Sequence, residues 1–93
     1  MQASALNLGP ELTIAFAAAC HQQLAEALGS GGRGLTLDLS SVTEFDSAGL
    51  QLLLATRRSL AARGQALHIH EPSAVVRDAL AVFGLLDLLS THA

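Results

Sequence analysis

Between Leu35 and Leu50 the spacing of apolar residues changes from strand-like to helical, which limits the chain to folds where a strand feeds directly into a helix. Leu35, Leu37 and Leu39 alternate with Thr36 and Asp38, the pattern of a strand with one better-buried face. Past the polar Ser40-Ser41, the residues Leu50, Leu53, Leu54, Leu60 and Ala61 share one stripe of a helix expected from Ser47 to about Arg63. Gly64 supplies its stop, and Arg57 lies in the stripe with its head turned outwards.

The same grammar repeats on either side. Ala5 to Leu8 reads as a strand, broken at Gly9-Pro10 and followed by Glu11-Leu12-Thr13. Thr13 is the expected N-cap of a helix carrying Ile14, Ala17, Ala18, His21, Leu24 and Leu28 at helical spacing, and Gly29-Ser30-Gly31-Gly32 reads as the loop beyond it. Ala66 to His70 reads as a strand. Pro72 and Ser73 open a third helix built on Val75, Val76, Ala79, Leu80 and Phe83, closed by Gly84 with Leu85 behind it, and Leu85 to Thr91 is expected to form a short last strand. Alternation of this kind predicts an α/β fold, with about four strands in a mostly parallel, mixed sheet and three helices packed on it. Sites in such sheets gather at loops leaving the carboxyl ends of strands, which points to Ser40 to Asp46.

Composition narrows the function. The 93 residues, 51% hydrophobic and 14% charged, suit a single domain over residues 1–93 with one core and one site. A net charge of −3, with five arginines and no lysine, argues against a basic nucleic-acid face, and three phenylalanines without Tyr or Trp leave few platforms for base stacking. Cys20 stands alone, so no intramolecular disulfide is expected. The first twenty residues hold no Lys or Arg for a signal peptide, and the longest apolar run, Ile14 to Cys20, falls short of the roughly 18 residues of a membrane span. A cytoplasmic protein without direct membrane insertion is the expectation.

Chemistry concentrates at Glu44-Phe45-Asp46-Ser47-Ala48-Gly49-Leu50. If Asp46 or Ser47 caps the second helix, the first-turn N–H groups carry about half a positive charge and favour an oxyanion. A phosphate on Ser47 would sit in that field, yet its charge of about −1.5 to −2 would meet Glu44 and Asp46 and alter any surface that a partner reads. The plainer reading is an ordinary capping Asp46 with a solvated Ser47. Gly49 costs about 0.5 to 1 kcal/mol against Ala in a first turn, which points to close backbone approach by a ligand or to tight packing beneath the loop. Ala48, Leu52, Ala55, Ser59 and Ala62 make an uncharged outer face on the same helix, suited to a docking partner or simply part of an Ala-rich chain.

The run Asp38-Leu39-Ser40 followed by Asp46-Ser47-Ala48-Gly49-Leu50 resembles the signature of STAS domains, the family named for sulphate transporters and anti-sigma factor antagonists. Gly9-Pro10-Glu11-Leu12-Thr13 is similar to the family's corner before its first helix, with an extra proline, and Gly64 and Pro72 fall where the family has them. The resemblance thus covers most of the chain. It implies a bacterial, non-enzymatic phosphorylation switch. Ser47 would be the residue phosphorylated by an anti-sigma-type serine kinase, Asp46 would shape the loop and the kinase contact, and Glu44, Asp46, Ser47, Ala48, Gly49, Leu52 and Ala55 would form the partner-binding surface. The family commonly has one more strand before the corner and a last helix. The short lead to Gly9 and the end at Ala93 are similar to the compact form that includes a small subunit of bacterial lipid-transport ABC machines, which implies as alternative a constitutive subunit on the transporter ATPase. An accessory signalling domain, for example in chemotaxis, is a further possibility.

No enzyme signature competes with this. G-x-S-x-G and Walker A patterns are missing, the glycines from Gly29 to Gly34 precede a strand instead of opening a helix as a dinucleotide site requires, and Ser47 beside Asp46 does not make a triad. His68 and His70 with Glu71 could face one way on a strand, but His21, His92 and Cys20 lack the spacing to complete a zinc site. No catalytic residue, cofactor or metal is expected. The sequence does not define the oligomeric state.

Overall fold

A computed structural model describes residues 5–29 and 34–89. The strands are β1 (Leu6–Asn7), β2 (Glu11–Leu12), β3 (Gly34–Asp38), β4 (Glu44–Phe45) and β5 (Ala66–His70), and the helices are α1 (Ala17–Gly29), α2 (Ser47–Ala61) and α3 (Ala74–Val82). They form an α/β fold whose five strands lie in two small sheets, β1-β3-β5 and β2-β4, with every pairing parallel. The expected four-stranded mixed sheet is therefore redistributed. At Gly9 the chain takes a left-handed turn (φ 89°), and the Pro10 carbonyl accepts from the Thr43 (2.8 Å) and Glu44 (3.2 Å) N–H groups. That seats Glu11–Leu12 beside Glu44–Phe45, so two of the seven residues of the predicted 40–46 loop become a strand.

Alternation along β3 and β5 sorts the main sheet into two faces. Leu37, Leu39 and Leu67 are buried together with Cys20 and Leu24 of α1, Leu50, Leu53 and Leu60 of α2, and Val76 and Leu80 of α3 in one core. The other face carries Thr36, Asp38, His68 and His70, with Asn7 in register beside Asp38. His68 and His70 are exposed there, and among the described residues no group of three or more His, Cys, Asp or Glu is placed to hold a metal.

Local signals explain the helix ends. The Ser73 hydroxyl accepts from the Val76 N–H (3.3 Å) at the start of α3. At the ends of α2 and α3, Gly64 and Gly84 adopt left-handed turns (both φ 69°), and the residue beyond each bonds back five positions in the Schellman manner: Gln65 N–H to Leu60 O (2.8 Å) and Leu85 N–H to Leu80 O (2.7 Å). After that turn Leu86–Leu89 winds into a 3-10 turn rather than the expected last strand. Asp87 in that turn pairs with Arg57 of α2 (3.7 Å). Residues 90 and 91 of the expected strand, like residues 30–33 of the Gly-rich loop and His92, lie outside the described residues.

The entrance to α1 also differs. Ile14–Phe16 is a 3-10 turn ahead of α1, and Thr13 makes no side-chain cap; its hydroxyl donates to the Glu11 carboxylate instead (3.2 Å). Three residues per turn rotate the face that helical spacing assigned, so Ile14 stands 75% exposed while Cys20 and Leu24 point into the core. In α2, Leu50, Leu53 and Leu60 are buried as expected and Leu54 half-buried, whereas Ala61 is exposed and Thr56 is buried in its place. Thr56 satisfies its hydroxyl by donating to the Leu52 carbonyl one turn back (2.7 Å).

Candidate functional site

Asp46 organises the junction of β4 with α2. As N-cap its Oδ1 accepts from the Ala48 (2.9 Å) and Gly49 (3.3 Å) N–H groups. Its Oδ2 reaches across to accept the Ile14 N–H (3.0 Å), so one carboxylate closes the first turn of α2 and the turn that leads into α1. These three donors favour the ionised form. The Ile14 N–H does most to hold the Asp46 pKa below its ordinary value, with Gly49 and Ala48 adding to it against a partial opposing effect of burial.

Ser47, the first residue of α2, is exposed, and among the described residues its hydroxyl has no hydrogen-bond partner. The expectation of free first-turn donors needs correction here, because Asp46 already occupies those of Ala48 and Gly49. An anion added to Ser47 would therefore meet two first-turn donors already taken and a fixed negative charge. Repulsion, rather than capture by the helix, is what this geometry offers.

The other residues of the expected surface divide by burial. Glu44 and Ala55 are exposed, Asp46, Ala48 and Leu52 half-buried, and Gly49 buried. Gly49 has a packing role: a Cβ there would fall on the Leu12 carbonyl oxygen and within 2.9 Å of the Leu12 Cβ. Only a glycine lets α2 press against β2 at this point. Leu52 packs partly against the core and, with Ala55, Thr56 and Ser59, lines a shallow groove that α1 completes through His21, Leu24, Ala25 and Leu28.

Glu11, Leu12 and Ile14 join the site without having been singled out from sequence. Glu11 is the register partner of Glu44, and Leu12, fully buried, forms the floor beneath Gly49. A two-residue strand leaves too little alternation to predict such a pairing, and only the Gly9-to-Thr13 corner pointed at this segment. Farther along the strand ends, Asp38 Oδ1 accepts from the Ser40 hydroxyl (2.6 Å) and N–H (2.9 Å), which with the nearby His70 keep its pKa below the ordinary value. Asn7 Oδ1 accepts from the Gly9 N–H (2.7 Å) and the Ser41 hydroxyl (3.2 Å), pinning the loop that leads to β4. Cys20 is buried, and burial pushes its thiol pKa up, away from reactive thiolate chemistry. Among the described residues no helix is long and apolar enough to cross a membrane.

Comparison with known proteins places this geometry. The fold is similar to that of the anti-sigma factor antagonist SpoIIAA in its unphosphorylated form, with a TM-score of 0.75 and 20% sequence identity over 95% of this chain and 81% of that one. No curated protein matches the chain. A family model described as "Mlab, STAS domain" matches residues 1–90, covering both the Gly9-to-Thr13 corner and the Asp46-to-Leu50 helix start, and the chain belongs to the STAS family.

Proposed function

We propose that this chain is a non-enzymatic, cytoplasmic regulatory domain of the anti-sigma factor antagonist kind, binding a protein partner through the 40–50 segment with Ser47 as a phosphorylation switch. One observation carries the reading: an exposed hydroxyl at Ser47, without a hydrogen-bond partner among the described residues, stands next to an ionised carboxylate that already takes the Ala48 and Gly49 N–H groups of the helix start. In this reading an anti-sigma-type serine kinase binds the unmodified form and phosphorylates Ser47. The added charge, beside Asp46 and Glu44, then drives release. Glu44, Ala48 and Ala55 offer the accessible contacts around Ser47, Leu52 contributes its exposed edge, and Asp46 and Gly49 hold the frame.

A second reading is favoured by the family description, which bears the name Mlab: a constitutive subunit on the ATPase of a phospholipid-transport ABC system, with Ser47 a contact and never a phosphoacceptor. Both readings use the same surface and differ in the chemistry at Ser47. Purification of the tagged chain from its own cells, followed by mass spectrometry, separates them. A serine kinase with phosphate on Ser47 supports the switch; a transporter ATPase with unmodified Ser47 supports the subunit.

The Ser47→Glu variant adds a binding test. Under the switch reading it weakens partner affinity at least about tenfold in a titration, since like charges brought together in an interface cost on the order of kilocalories. Retained affinity, also seen with enzymatically phosphorylated protein, removes the switch.

A further inference from the structure

The 3-10 turn ahead of α1 leaves two large apolar residues, Ile14 (75% exposed) and Phe16 (47% exposed), uncovered at the entrance to the helix. Exposed apolar surface mostly marks a contact site where it is more than a scattered single residue. Against Phe16 opens a cleft of about 160 Å³, walled by Leu8, Pro10, Ala19 and Cys20, with Glu11 among its lining residues. The patch is tied to the Ser47 site, because the Ile14 N–H is held by the same Asp46 carboxylate that caps α2.

Charge identifies the occupant. Glu11 and Glu44 are register partners on neighbouring parallel strands, and like charges placed side by side in a sheet disfavour it. Neither forms an ion pair with a cation among the described residues, and among them the Glu11 carboxylate receives only the Thr13 hydroxyl. A second copy of the chain, bound through a two-fold contact, would bring the same carboxylates together again. An uncharged ligand would leave them unpaired.

We propose that the cleft beside Phe16 receives an apolar side chain from a protein segment whose flanking Arg or Lys side chains reach Glu11 and Glu44. An apolar anchor in a pocket with basic residues at the rim is a common division of labour in interfaces, the anchor supplying affinity and the charges supplying orientation and rate. The proposal rests on the reading of the Ser47 face as partner-binding and extends that face to the start of α1.

The probe is a library of random peptides displayed on phage and selected against the immobilised 93-residue chain, with enriched peptides then titrated by fluorescence anisotropy. Expected are peptides carrying an apolar residue close to Arg or Lys, bound at least about tenfold more weakly by Phe16→Ser and by Ile14→Ser, both at exposed positions where the fold is retained by circular dichroism. The double variant Glu11→Gln, Glu44→Gln should weaken binding and flatten its dependence on salt. Peptides without basic residues, or affinity unchanged by both apolar variants, would overturn the proposal. So would self-association in sedimentation that Phe16→Ser abolishes, which would make the occupant a second copy. Ser47→Glu, measured on the same peptides, keeps the two readings apart. Loss with Phe16→Ser but not with Ser47→Glu supports the cleft and detaches it from Ser47, whereas binding that survives both apolar variants overturns the cleft whatever Ser47→Glu does.

Discussion

At the scale of single residues, Asp46 and Gly49 do opposite jobs at one junction. Asp46 contributes charge: its pKa is held below the ordinary 3.8, chiefly by the Ile14 N–H. A carboxylate depressed in the folded state stabilises the fold above its unfolded pKa and loses that contribution as pH falls through the folded value. The gap in unfolding free energy between the parent chain and Asp46→Asn should therefore be full near neutral pH and close as the pH drops below about 4. Urea titrations across that range measure it; a gap that stays constant would assign the effect to shape rather than charge. Gly49 contributes absence. Gly49→Ala would drive a methyl group into the Leu12 backbone, which cannot swing aside as a side chain would, and overpacking of this type costs about 1–3 kcal/mol. The expected result is a lower denaturation midpoint with an unchanged slope.

At the scale of elements, what could be read from the sequence depended on length. α2 and α3 are long enough for periodicity to show, and their caps and stops, Asp46, Ser73, Gly64 and Gly84, are the residue types that helix termini call for. Ser73→Ala should cost about 1 kcal/mol through loss of the bond from the Val76 N–H, lowering the melting temperature by about 4–8 °C for a domain of this size, as thermal denaturation would report. Two-residue strands have no period to read. Glu11–Leu12 and Glu44–Phe45 pair because the Pro10 carbonyl collects the Thr43 and Glu44 N–H groups, a contact across the chain that no local pattern announces. Leu85 to Leu89 was misleading because a run of leucines fits a strand and a tight turn alike, and the choice is made by the bond from Leu85 to Leu80. The site followed the same rule. Asp46 and Ser47 were legible from the motif, whereas Ile14 was assigned inward by helical spacing that the 3-10 turn does not obey, and Phe16 stood outside the helical set altogether.

At the scale of the molecule, three helices share one core with one face of the main sheet, and the polar row Asn7, Asp38 and His70 crosses the other at the carboxyl ends of its strands. The parallel order β1-β3-β5 has a kinetic consequence. A parallel pair cannot be made by a hairpin, so Leu6 meets Leu37, and Leu35 meets Leu67, only after a segment long enough to hold a helix has been looped back. Helical turns form in about a microsecond, but each of these closures must be entropically covered before any ladder bond rewards it. Both depend on β3, which lies between the other two strands, so the sheet has a single point of assembly. Leu37→Ala, at a fully buried position of that strand, should therefore lower the refolding arm of a stopped-flow chevron as well as raise the unfolding arm, within a total loss of about 2–5 kcal/mol. A change confined to unfolding would mean that the helices dock before β3 has found its neighbours. On this expectation the middle strand sets the pace at which the whole chain becomes a protein.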